Sequence, residues 1–87
     1  MRSVYRNTLK RWFRAELMRY RHLEHTTQLE MSERLAMDER SYIDLEHGKT
    51  CCSAVTLALY LTLCCDNPAR SLEELRRAFG RNVDGVA

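Results

Sequence analysis

Three glycines and one proline are all the flexible or rigid punctuation that this 87-residue chain carries, and that scarcity decides its fold class. Each β-hairpin needs a turn built from Gly, Asn, Asp or Pro in special backbone conformations, so a sheet of several hairpins does not fit. The chain is long enough for one hydrophobic core and no more. With 45% hydrophobic and 30% charged residues it has the composition of a folded protein rather than a disordered one. A single all-α domain is expected.

The longest stretch without a charge, between Lys49 and Asp66, is 16 residues; a membrane span needs roughly 20, so this one reads as a buried helix. No apolar segment follows the basic N-terminus as a secretion signal would require. A cytoplasmic location, with the four Cys as reduced thiols, is therefore expected. The net charge of +2 is unevenly spread: residues 1–25 carry +5, residues 26–50 carry −3 and the remainder balances. The N-terminal quarter is the cationic part.

Periodicity and capping signals divide the chain into five helices. The first should run from near Arg6 to about Leu23, with Tyr5, Leu9, Trp12, Phe13, Leu17 and Tyr20 in an apolar arc of roughly 140°. Lys10, Arg11 and Arg14 gather on its flank, and Glu16 falls inside the apolar arc, which implies a helix edge or a partner that the sequence does not identify. Thr27 followed by Glu30 forms a capping box that opens a second helix carrying Met31 and Leu35. Asp38 is an N-cap for a third, which Gly48 should end as the residue after the helix. Ser53 caps an apolar fourth helix through Leu63, and Asp66-Asn67-Pro68 breaks it. Ser71 with Glu74 is a further capping box, starting a fifth helix that stops at Gly80. Residues 1–80 are thus one domain, and 81–87 a flexible tail.

Two short helices joined by a tight turn form a candidate helix-turn-helix, the unit that sets its second helix in a DNA major groove. The residues carry the comparison further. Thr27-Gln28-Leu29-Glu30-Met31-Ser32-Glu33-Arg34-Leu35, then Arg40-Ser41-Tyr42 and Leu45-Glu46-His47-Gly48-Lys49, resemble the lambda-repressor-like (Cro/CI, Xre) helix-turn-helix family over about 17–63. The resemblance implies a five-helix lambda-repressor-like DNA-binding domain with an extended first helix, its helix-turn-helix unit near 27–48. By position it implies that Glu39, Arg40 and Asp44 read base edges, and that Gln28, Ser41 and Lys49 meet phosphate, with Lys10 and Arg14 adding to the phosphate contacts from the first helix. It also implies an ion pair between Arg21 and Glu46, physically reasonable because a carboxylate buried beside the first helix needs a bidentate partner.

The same resemblance implies a sequence-specific transcriptional regulator that binds double-stranded DNA as a homodimer. Thr26 stands where the family has an apolar residue, and Leu23 is expected to take its place in the core. The extra turns of the first helix, with Tyr5, Leu9, Trp12 and Phe13, should extend the core or form a dimer contact. Asp38, Glu39 and Asp44 make the reading edge acidic, which favours a second interpretation: an adaptor that keeps the fold and binds protein instead.

No enzyme is expected, because the chain has no nucleophile and base at a recognised spacing and no glycine-rich phosphate loop. No cofactor or small-molecule substrate follows either. Cys51-Cys52 and Cys64-Cys65 do not make a zinc site, since a helix between the pairs holds them about 18 Å apart; they read as small core side chains. His22 and His25 lack a third ligand at a useful spacing, so no metal is expected.

Overall fold

The computed structural model describes residues 2–86, with side chains through Val83. Among these the chain is all-helical: 79% of it is helix, in five helices and no strand. They are α1 (Arg2–Glu24), α2 (Gln28–Arg34), α3 (Glu39–Glu46), α4 (Ala54–Leu59, continued by one π-helical turn, Tyr60–Cys64) and α5 (Pro68–Val86). At about 1.5 Å per residue α1 spans most of the 41 Å long axis of the molecule. It is the spine against which α3 and α5 pack, while α2 packs on α3.

The core follows the apolar arc of α1. Trp12, Phe13 and Leu17 meet Met31 and Leu35 of α2, Tyr42 and Leu45 of α3, Tyr60 of the π turn and Leu75 of α5. Phe13 and Tyr60 pack edge to face at 5.4 Å. Tyr5, farther up α1, packs edge to face on Phe79 of α5 at 5.5 Å, so the extra turns of α1 extend the core. Leu23 does not join it; the side chain is 58% exposed, and Thr26 is itself buried.

Caps set the short helices. Thr27 and Glu30 exchange hydrogen bonds as a capping box at the start of α2, Asp38 accepts from the Ser41 N–H at the start of α3, and Ser53 accepts from the Thr56 N–H at α4. Gly48 ends α3 with φ +73°. Its N–H donates to Leu45 and that of Lys49 to Asp44, the paired bonds of a Schellman motif. Ala36 ends α2 through the same pair of bonds, to Glu33 and Ser32, yet at φ +55° it carries a side chain in the left-handed region.

Three boundaries differ from the sequence expectation. The helix α1 begins at Arg2 rather than near Arg6. The fifth helix starts at Pro68, three residues before Ser71: Asn67 Oδ1 accepts from the Arg70 N–H and proline suits a first helical position, so the break and the cap are the same tripeptide. Finally, α5 passes through Gly80 and stays helical to Val86; Gly80 sits in open space, and Asn82 anchors the last turns to the buried Thr8 hydroxyl of α1. The segment expected as a tail is therefore helical, Ala87 lying outside the described residues.

Left-handed backbone costs a residue with a Cβ about 1–2 kcal/mol, partly offset by the larger unfolded-state entropy of glycine. Ala36→Gly is therefore expected to stabilise the protein by about 0.5–1 kcal/mol, measured as a raised urea midpoint at unchanged slope.

Candidate nucleic-acid interface

The inner side of α3 is fixed by a buried carboxylate. Glu46, 4% exposed, accepts from Arg21 Nη1 through Oε1 and from the Gln28 amide at 3.2 Å. Arg21 Nε meanwhile donates to the Thr26 carbonyl at 3.1 Å. One guanidinium thus joins the end of α1, the entry to α2 and the end of α3. Arg14, two turns earlier on α1, donates through Nε to the Glu46 main-chain carbonyl at 3.0 Å, where a cation also suits the negative end of the α3 dipole. Glu46 Oε2 and the Tyr42 hydroxyl are buried without a partner. Burial first, and then the neighbouring Glu46 carboxylate, push the Tyr42 phenol above the ordinary tyrosine range.

The outer edge of α3 carries Glu39 and Arg40, both exposed. Arg40 Nε lies 3.7 Å from Asp44 Oδ1, one turn on, and Asp44 is half-buried. Ser41 is committed locally, its N–H and hydroxyl both donating to Asp38. These bonds hold the Asp38 carboxyl below the usual carboxylate range. Gln28 is half-buried on Glu46. The Lys49 side chain is exposed and its N–H closes the Schellman motif. Lys10 is half-buried on α1, whereas Arg14 is exposed. The structure therefore gathers Glu39, Arg40 and Asp44 on one edge, places Lys10 and Arg14 beyond the C-terminal end of α3, and turns Gln28 inward.

A second polar cluster lies on the opposite side of α1. Glu16, 3% exposed, accepts from the Tyr60 hydroxyl at 3.1 Å, from Arg19 at 3.3 Å and from the Ser71 hydroxyl. Since the Ser71 proton is given to Glu16, the Cys65 thiol 3.3 Å away donates to Ser71 Oγ. Trp12 Nε1 adds a bond to the Ser71 carbonyl at 3.1 Å. The placement of Glu16 within the apolar arc was the only sign of this cluster in the sequence; nothing there pointed to Tyr60 or Ser71. Among the cysteines, all four are free thiols. Burial pushes Cys52 up to about 11 and raises Cys64 as well, so both stay protonated as packing groups. No group of three or more His, Cys, Asp or Glu that could hold a metal is found among the described residues.

No protein-family model matches the chain, and neither does any curated protein or solved structure.

Removing one partner of a buried pair strands the other, at about 3–5 kcal/mol. Arg21→Met is expected to lose about that much stability, while Arg21→Met combined with Glu46→Met recovers most of it; urea unfolding of both variants checks the pair. A pH effect follows from the phenols. Burial, and then Glu16, raise Tyr60 just as Tyr42 is raised, so the native state holds two protons that the unfolded chain releases above about pH 10. Stability should be full below that point and fall as pH rises through it, by up to about 1.4 kcal/mol per pH unit for each phenol, with Cys52 adding from about pH 9. Tyr60→Phe should remove one phenol's share of the slope measured between pH 10 and 11.

Proposed function

We propose that the protein is a sequence-specific DNA-binding regulator of the Xre type, setting α3 in a major groove. The observation that carries this reading is the asymmetry of α3. Its inner side is bonded to α1 through Glu46 and packed through Tyr42 and Leu45, while Glu39 and Arg40 stand exposed on the outside. A reading helix needs that combination, since base contacts discriminate only when the backbone behind them is held in place. On this reading Arg40, freed from Asp44, donates to a guanine, and the carboxylates of Glu39 and Asp44 accept from cytosine amino groups. Lys49 meets phosphate beside the groove. The chain acts as a homodimer on two half-sites about 34 Å apart, because one such small module binds weakly alone.

One observation favours the adaptor reading: Arg40, the exposed cation of this edge, already faces Asp44, so the edge offers a duplex little net attraction. A basic protein partner would suit it better.

Selection from random duplexes at low salt separates the two. A regulator enriches one motif; Arg40→Ala should then relax choice at one base pair by about 1–3 kcal/mol, and Lys49→Gln should weaken all sequences alike. Enrichment of nothing, with no duplex retained, supports the adaptor.

A further inference from the structure

We propose that the cleft between the basic edge of α1 and the C-terminal end of α3 is a seat for a phosphate group, which gives the protein a polyanion contact separate from the α3 edge. That the polyanion is duplex DNA rests on the proposed regulator function; the phosphate chemistry does not.

Asn7, Lys10, Arg11 and Arg14 form one wall of this cleft, and His47 with Gly48 the other, around about 280 Å³ of open space. Three formal cations therefore face a concavity whose lining contains no carboxylate. Two other clefts with cations also hold acids, Arg19 and Arg70 with Glu16, Asp66 and Glu74, and Arg11 and Arg81 with Glu74; the cleft beside Arg2 and Arg6 likewise lacks a carboxylate, but its remaining walls are Tyr5, Leu9, Cys51 and Phe79 and it holds two cations rather than three. Here Lys10 and Arg14 sit four residues apart on one helix, where like charges repel, and no described carboxylate lies within 4 Å of Lys10, Arg11 or Arg14. Stabilisation of the α3 dipole accounts for Arg14 alone, through its bond to Glu46. Lys10 and Arg11 donate to no α3 carbonyl, and among the described residues Arg11 bonds only to Thr8, at 3.4 Å.

The donors are also oriented. With Nε fixed on the Glu46 carbonyl at 3.0 Å, the Arg14 guanidinium plane is set and both its Nη groups remain for a ligand. A tetrahedral anion with several acceptor oxygens uses such a fork together with a second guanidinium and an ammonium; a planar carboxylate leaves part of the set unused. Glycine at position 48 serves the left-handed turn at φ +73°; a Cβ there would meet only the Arg14 Cδ methylene, at an ordinary 3.9 Å.

The test uses the full chain. In nitrogen-resolved NMR, inorganic phosphate added at constant ionic strength against chloride should move the Arg14 Nε–H and the His47 and Gly48 amides saturably. Lys10→Gln with Arg11→Gln should abolish the movement at unchanged Tm. In duplex binding measured against salt, the same double variant should lower the log–log slope by about 0.9 for each phosphate no longer neutralised and leave sequence preference intact. Phosphate shifts with an unchanged duplex slope would make the seat one for free phosphate and overturn its assignment to a strand. No shifts and no slope change would overturn the seat itself. Shifts and slope loss without any sequence preference would keep the seat while removing the α3 reading, and sequence preference with no phosphate shifts and an unaltered slope would do the reverse.

Discussion

A carboxylate withdrawn from water must be met by donors, or its desolvation outweighs the packing gained around it. Much of this molecule's arrangement follows from α1 meeting that demand twice. On one side Arg21 reaches Glu46 at the end of α3; on the other, Glu16 is α1's own carboxylate and draws in Tyr60 and Ser71. The two clusters share no residue. Each is also directional in a way that apolar contact is not, because a guanidinium or a hydroxyl satisfies its acceptor only over a narrow range of angles. Phe13 and Leu17 would tolerate a sliding α3 or α5; Arg21 and Glu16 would not.

The Glu16 cluster also gives the π turn of α4 a purpose. The wider turn closes with the Cys65 N–H bonded to the Tyr60 carbonyl at 2.8 Å, and it coincides with the residue whose ring fills the core and whose hydroxyl reaches Glu16. Regular α geometry through Tyr60–Cys64 would turn the following residues through a different angle and displace Cys65 from Ser71. The irregularity thus sits where a polar bond and an aromatic contact must be met together.

Local chemistry was the legible part of the sequence. Thr27, Asp38, Ser53 and Gly48 announce helix ends because their hydrogen bonds or backbone preferences act within a few residues, and such effects survive whatever the tertiary context. Ser71 shows the limit. Followed by Glu74 it has the form of a capping box, yet it lies inside α5 because Asn67 and Pro68 start the helix earlier and because its hydroxyl is taken by Glu16, 55 residues away. Gly80 reads as a stop for the same local reason, and the distant contact between Thr8 and Asn82 holds the helix beyond it. The inward turn of Gln28 was likewise illegible, since only the placement of Glu46 shows what its amide meets.

Charge placement at the two ends of α3 follows one rule, which accounts for Asp38 and Glu39 of the acidic edge and for Arg14 of the basic cleft. Asp38 and Glu39 stand at its start, where the free N–H groups favour negative charge; Asp38 accepts from two groups of Ser41 there. Arg14 stands at its end, bonded to a carbonyl rather than to an acid. The acids of the outer edge are therefore partly answering the helix itself, and their presence is a weaker argument against an anionic partner than a simple count suggests. Because the poles are held apart, the five cations of α1 from Arg2 to Arg14 stay free of described carboxylates. A polyanion approaching this face meets attraction near His47 and repulsion near Asp38, so the field orients what it binds before any side chain makes contact.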